Sequence, residues 1–211
     1  AAQVEADGLP GKILPFVGDV SSRETNDAMI DFAVEQTGKL DVLVNNAGIM
    51  DGFEPIGAIS DERWEKVFAV NVNGPMYAMR KAVQVMLGQE SRGNIVNVAS
   101  IGGTNGARAG AAYTASKHAL VGMTENTGYM YAHEGIRCNA ICPGTIVTPM
   151  VAGTTAADMD ADMMGAMATH SNLKTQPCMP EDVANIALFL ASDESRALTG
   201  QIIVSDFGAM L

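Results

Sequence analysis

The sequence predicts an α/β protein, a single domain over 1–211, built around a parallel sheet. Three observations carry that expectation. Short apolar, β-branched runs such as Ile95-Val96-Asn97-Val98 have the make-up of buried strands. Between them lie stretches of helical periodicity opened by cap residues. The third is the segment 93–117, GNIVNVASIGGTNGARAGAAYTASK. There a strand ends at Ala99-Ser100, and glycines 102, 103 and 106 interrupt regular structure before a helix resumes near Ala112.

Residues 1–12 are polar and rich in Gly and Pro, and read as a loop or a helix end. Ile13 to Val20 reads as a short strand ending in Asp19-Val20. Ser21 opens a helix with Glu24 three residues on, a capping box, and Ile30, Ala33, Val34 and Thr37 continue it to Gly38. Leu40 to Val44 is the next strand, apolar except for Asp41, and it enters Asn45-Asn46-Ala47-Gly48. Small polar turns at the carboxyl ends of strands are where doubly wound sheets hold ligands. Ser60 caps a longer helix through about Leu87, with Trp64, Val67, Phe68, Asn71 and Val72 along one face. Pro75 lies inside that helix and lacks the N–H that the Asn71 carbonyl would accept. A carbonyl freed in this way is suited to hold a water in a proton relay.

The helix carrying Tyr113 continues through Met130. Gly135 to Cys142 forms a strand, and Pro143-Gly144 turns the chain sharply. Residues 149–176, with Met150, Met159, Met163, Met164 and Met167, offer an adaptable apolar surface hinged by Gly153 and Gly165. Pro180 starts a last helix with Val183, Ile186, Ala187 and Leu190 inward, and Gln201 to Ser205 forms the last strand. Asp206-Phe207-Gly208 spells the metal-binding triplet of kinases, but no His-Arg-Asp loop accompanies it.

Tyr113 and Lys117, at i and i+4, share one helix face beside the strand end that carries Ser100. A free phenol, with a pKa near ~10, is a poor acid–base at neutral pH. A cation one turn away is expected to favour the phenolate and lower that pKa. The serine hydroxyl is suited to hold the same substrate oxygen. One Tyr-x-x-x-Lys pair arises by chance in roughly 0.1 of such chains, so the spacing alone decides little. Its company decides more.

Ser100, Tyr113 and Lys117 occur in order with Asp19-Val20, Asn45-Asn46-Ala47-Gly48, Asn71 in NVNG, Pro143-Gly144 with Thr148, and Thr199-Gly200. Over almost the whole chain this pattern resembles the short-chain dehydrogenase/reductase family. The resemblance implies a Rossmann-type doubly wound parallel sheet, NAD or NADP as cofactor, and hydride transfer between a secondary alcohol and a ketone. It implies Tyr113 as the acid, Lys117 as the group that lowers its pKa and holds the ribose hydroxyls, and Ser100 as the group that orients the substrate oxygen. Asn71 corresponds to the residue holding the relay water. Asp19 and Val20 correspond to adenine contacts, and Asn46, Ala47 and Gly48 to the cofactor lining. Pro143 and Gly144 correspond to the turn against the nicotinamide, with a backbone contact at Ile146 and a hydroxyl contact at Thr148.

In the same resemblance, 149–176 is the substrate lid. Its methionines, with no Trp, Tyr or Phe among them, suit an apolar alcohol or ketone better than a sugar. A homodimer or homotetramer is implied as well. Ala78, Ala82, Val85 and Met86 are expected to pair with Leu120, Met123 and Met130 across a two-fold axis. Phe207 departs from the Asp-Gly-Gly that relatives more often carry.

The resemblance implies a small-molecule alcohol or ketone as partner, and composition argues against two other classes. A net charge of −11 argues against a nucleic-acid surface, and no apolar run approaches the ~20 residues of a membrane span. Cysteines 138, 142 and 178 cannot all pair and lack zinc-site spacing, and His118, His133 and His170 are dispersed, so no metal is expected. Cys138 and Cys142 read as small buried residues on a strand, and a reducing, cytoplasmic setting fits. The family's glycine-rich phosphate turn is not found in this sequence, nor is the residue that separates NAD from NADP. The expectation is that a βαβ unit of roughly 30 residues or more precedes Ala1 in the natural protein. Two other readings stand beside the first. One is a reductase of carrier-bound 3-ketoacyl chains, with Arg80, Lys81, Arg92 and Arg108 as its basic candidates. The other is a catalytically silent scaffold or fragment.

Overall fold

Strands β1 (Val42–Asn45), β2 (Gly93–Val98), β3 (Ile136–Pro143) and β4 (Ile202–Ser205) form one parallel sheet, neighbours in sequence being neighbours in space. The computed structural model describes residues 11–148, 150, 159–172 and 174–210. Helix α1 (Arg23–Thr37) precedes β1, and α2 (Asp61–Phe68) and α3 (Gly74–Gly88) lie between β1 and β2. Helix α4 (Ala111–Met130) links β2 to β3, and α5 (Ala161–Ala168) and α6 (Pro180–Ala191) lie between β3 and β4.

Alternation along β2 shows why helices cover both sides. Ile95 packs with Ile30, Leu43, Met79, Met86 and Ile136, whereas Val96 packs with Ile141, Val183 and Leu190. Successive strand residues point to opposite faces, so a run that is apolar throughout needs a partner on each. Each large side chain so buried stabilises the fold by about 1.5–3 kcal/mol. The helix ends follow local chemistry. Ser60 Oγ accepts the Arg63 N–H at 3.2 Å, and Gly38, at φ 83, closes α1 by donating to Val34 O. The cap of α1 is Ser22, one residue beyond the expected Ser21, its Oγ accepting the Thr25 N–H at 3.2 Å.

Three expectations are corrected. Residues 13–20 are not a strand. A strand needs a ladder, and among the described residues this segment has none; Val17 is 97% exposed, while Phe16 meets Phe32 of α1. The helix from Ser60 is not continuous. Between α2 and α3 the chain widens into a π turn, Ala69–Asn73, and the Gly74 N–H reaches back to Ala69 O. Pro75, which cannot donate, sits just past that turn and marks its physical cause. Finally, Ala78, Ala82, Met86 and Leu120 are at most 1% exposed and belong to the core of this chain, with Val85 and Met123 packed partly against it. Helical spacing identifies an apolar face but not which surface covers it. The outward faces of α3 and α4 instead form a groove of about 470 Å³ that includes Met76, Arg80, Leu87, Met123 and Tyr131.

The Asp206 triplet is a turn. Its carboxylate accepts the N–H groups of Gly208 at 2.9 Å and Met210 at 3.0 Å, and Phe207 stands half exposed between them. No helix among the described residues is long and apolar enough to cross a membrane.

Helix α4 meets the approach to β4 backbone to backbone. A Cβ on Gly128 would stand 2.4 Å from Gly200 N and 2.7 Å from Gly200 Cα. Gly128→Ala is therefore expected to destabilise the fold by about 1–3 kcal/mol, although alanine is the better helix former. A urea midpoint at or above that of the parent would refute this close approach.

Candidate active site

The carboxyl ends of β2 and β3 and the loop after β1 open on one cavity of about 280 Å³. Asn46, Gly48, Ser100, Tyr113, Lys117, Pro143, Gly144, Ile146, Thr148 and Met150 line it. The larger recesses, about 550 Å³ beside Val204 and Phe207 and about 470 Å³ between α3 and α4, hold none of these groups.

Each element delivers its residue for a local reason. Ser100 follows the end of β2, and its Oγ accepts the Gly102 N–H at 3.0 Å as the chain turns. Tyr113 and Lys117 rise from the first turns of α4, both buried, with the ammonium 5.6 Å from the phenol ring centroid. Lys117 Nζ donates to Val98 O at 3.0 Å, which ties the helix to the strand below it. Asn71 lies behind the cavity in the π turn, fully buried. Its Oδ1 accepts the Ile49 N–H, and its Nδ2 donates to Ile49 O and to Ser116 Oγ, at 2.9, 2.9 and 3.1 Å. Thus Asn71 clamps the loop after β1 onto α4.

The structure does not bring every expected residue to the cavity. Ala47 is exposed and outside the lining. Asp19 and Val20 sit at the turn before α1, where Asp19 Oδ1 accepts the Ser21 N–H and hydroxyl at 2.8 Å each and Val20 O accepts from Asn26. Those bonds hold the Asp19 carboxyl below its ordinary pKa. Of the methionine segment, Met150 lines the cavity and Met163, Met164 and Met167 ride on α5, while residues 149, 151–158 and 173 lie outside the described residues. Sequence reasoning missed Ser116 and the fully buried Asp51, which accepts the Tyr113 N–H. The one available signal was a glycine, Gly110, at the cap of α4, where no side chain serves.

Burial governs the electrostatics. It pushes the Tyr113 phenol above its ordinary value, against the Ser100 side chain, which pulls it down; the charges of Asp51 and Cys142 add to the rise. Desolvation is the largest cause of this direction, and Lys117 is not among its causes; the ammonium sits over the ring face and bonds to Val98 O. The same burial lowers Lys117 from 10.5 to about 8.

These groups fit the nicotinamide–ribose end of a dinucleotide. An ammonium with N–H groups beyond its single bond to Val98 O, a phenol and the Thr148 hydroxyl suit ribose and carboxamide oxygens. Gly48 lies beside them, its Cβ position 3.5 Å from Lys117 Nζ and 3.4 Å from Asn71 Oδ1, an ordinary contact distance.

The lysine shift has a sign that can be measured. From pH 8 to 10.5 the unfolded chain holds the Lys117 proton more firmly than the fold does, so unfolding free energy climbs with pH across that window. The denaturant midpoint of the parent relative to Lys117→Met is expected to rise from pH 8 towards 10. A difference that stays flat would mean the lysine is not desolvated.

Comparison with known proteins identifies the family and the fold. The family model described as enoyl-(acyl carrier protein) reductase matches residues 1–210. The chain is 42% identical over 190 residues to 3β-hydroxysteroid dehydrogenase 2 of Eggerthella lenta, spanning 90% of this chain and 72% of that protein. Levodione reductase matches the fold with a TM-score of 0.87 at 30% identity, over 98% of this chain and 80% of that one. ElxO with NADP bound matches with a TM-score of 0.79 at 29% identity, over 92% and 77%. With a Rossmann-type parallel sheet and likeness across its length, the chain belongs to the short-chain dehydrogenase/reductase family, NAD(P)-dependent oxidoreductases that interconvert secondary alcohols and ketones.

Proposed function

We propose that the protein interconverts an apolar secondary alcohol and its ketone, with Tyr113 passing the proton at the substrate oxygen. The observation that carries this reading is that Ser100, Tyr113 and Lys117 share one cavity with Met150. Bound NAD or NADP supplies or accepts the hydride. Ser100 Oγ holds the substrate oxygen, and the Tyr113 hydroxyl donates to it during reduction and accepts from it during oxidation. Burial keeps the phenol protonated, so the proton is present for reduction, and lowering of its pKa towards the working pH is the task that falls to Lys117 in this reading. Lys117 replaces its proton through a water held at the main-chain carbonyl of Asn71, whose side chain is committed to Ile49 and Ser116. Asn46, Gly48, Pro143, Gly144, Ile146 and Thr148 hold the nicotinamide end. Asp19, Val20 and Ala47 are assigned to the rest of the cofactor by resemblance.

The substrate is apolar and of sterol size in this reading. Met150 borders the catalytic cavity, and Met167 of α5 borders a neighbouring one of about 310 Å³ with Ile101 and Arg108. The related Eggerthella lenta protein is a hydroxysteroid dehydrogenase. A carrier-linked ketoacyl substrate has less support, because three of its four basic candidates are engaged within the chain, Arg80 alone among them standing exposed over the Tyr77 ring. Lys81 pairs with Asp31 at 2.6 Å, Arg92 donates to Leu87 O at 2.6 Å, and Arg108 donates to Ser171 Oγ at 2.5 Å. The same reading makes the protein a homodimer or homotetramer through the α3–α4 groove. It assigns the protein to the cytoplasm, in keeping with the three free thiols.

Tyr113→Phe is expected to lower turnover about 10²–10⁴-fold while dinucleotide affinity changes little. Undiminished turnover would remove Tyr113 from the chemistry and reopen the scaffold reading. Across a panel assayed with both NAD and NADP, 3-hydroxysteroids are expected to outrun polyols; the reverse order would refute the apolar lid. In sedimentation at micromolar concentration the parent is expected as dimer or tetramer and Leu87→Glu as a smaller species, and a monomeric parent would overturn the groove assignment.

A further inference from the structure

A second cavity, of about 310 Å³, lies against the catalytic one. Neighbouring residues of the same segments wall the two: Ser100 and Ile146 line the catalytic cavity, Ile101 and Thr145 the second. Ile101 and Met167 give the second cavity an apolar wall, while Arg108 and Asn172 bring hydrogen-bond donors to it.

Arg108 is held in place without being neutralised. Its Nη1 donates to Ser171 Oγ at 2.5 Å and its Nη2 to His170 O, a hydroxyl and a carbonyl just past the end of α5. Its Nε–H is shut off from solvent and has no acceptor. Among the described residues no carboxylate comes within ion-pair distance of this half-buried guanidinium. Asp206 lines the same cavity, but its oxygens accept the Gly208 and Met210 N–H groups at 2.9 and 3.0 Å, so its charge is met within its own turn. A cation partly withdrawn from water and lacking a counter-charge favours an anion beside it. Asn172 adds to this. Its Oδ1 accepts the Lys174 N–H at 3.2 Å, which leaves Nδ2 as a donor to the cavity's occupant.

We propose that the second cavity binds a carboxylate carried on the substrate at the end away from the reacting oxygen, and that Arg108 is the residue that selects it. The proposal rests on the reading of the substrate as an apolar molecule of sterol size, and adds what its far end carries. The reacting oxygen stays with Ser100 and Tyr113, the apolar body lies along Ile101 and Met167, and the carboxylate takes the remaining Nη N–H groups and Asn172 Nδ2. Charge-assisted bonds of this kind are about twice as strong as neutral ones. An ester or alcohol in the same place leaves the guanidinium without a counter-charge, so the cavity discriminates between ends. The bonds to Ser171 and His170 set the planar fork beforehand, which reduces the order lost on binding.

The test reads binding rather than turnover. The probes are a 3-oxosteroid with a carboxylate at the end of its side chain and the methyl ester of the same compound. Dissociation constants are measured by calorimetry with oxidised NAD or NADP present, so that no hydride moves. The parent is expected to bind the acid about tenfold or more tightly than the ester. In Arg108→Met that preference is expected to shrink to within about twofold while the ester binds as it does to the parent. Arg108→Lys, which keeps the charge but not the fork, is expected to retain a preference of a few-fold. If Arg108 only supported the segment after α5, acid and ester would weaken together and the preference would survive in Arg108→Met, which overturns the proposal. A parent that binds acid and ester alike also overturns it, needs no variant to fold, and leaves the sterol-size reading standing. A parent that binds neither steroid refutes that reading and the proposal with it.

Discussion

A buried chain of hydrogen bonds determines where helix α4 stands. Asn45 Nδ2 donates to Asn97 Oδ1, Asn97 Nδ2 to Thr124 Oγ1, and the Thr124 hydroxyl to Leu120 O, each at 2.8 Å. Asn97 and Thr124 are both 0% exposed. A buried polar atom left without its partner costs ~1–3 kcal/mol, whereas apolar contacts alone tolerate sliding. The chain thus gives α4 one register against β1 and β2. Ser100 comes just after the strand that carries Asn97 and Tyr113 lies about three turns before Thr124 on the same helix, so that register is what brings hydroxyl and phenol to one cavity.

Close backbone approaches reinforce the register at intervals along the helix. Near the site, a Cβ on Gly103 would stand 2.8 Å from Lys117 O, so the loop after Ser100 lies directly on the turn that carries the lysine. At the far end the Gly128 contact does the same against Gly200. Between them the helix has little freedom to rotate, and rotation is the motion that would carry Tyr113 and Lys117 out of the cavity. The interior is close-packed, so such contacts admit one arrangement.

Burial, which stabilises the fold, also sets the chemistry. The same loss of water raises the Tyr113 phenol and lowers Lys117, so both groups favour their neutral forms more than they would in solution. The site is therefore organised around a neutral phenol held near a lysine that gives up its proton easily.

What the sequence determined by itself is the order of elements and the identity of the central groups. Strands β1, β2 and β3 were legible because their runs are largely apolar and bounded by turn residues; Gly38 and Ser60 were legible because caps act on their own helix. Ser100, Tyr113 and Lys117 were legible because helical spacing and a strand end are local properties. Tertiary structure decided the rest. The run 13–20 has the composition of a strand, yet pairing is supplied by a neighbour and composition cannot provide one. Ala82 and Met86 read equally well as interface or core until the packing of α1 and the sheet covered them. Asp51 gave no local sign, since its partner lies on another element, and the direction of the Tyr113 shift followed from how much water the fold excludes. Hydrogen-bond partners and desolvation belong to groups distant in sequence, and only folding brings them together.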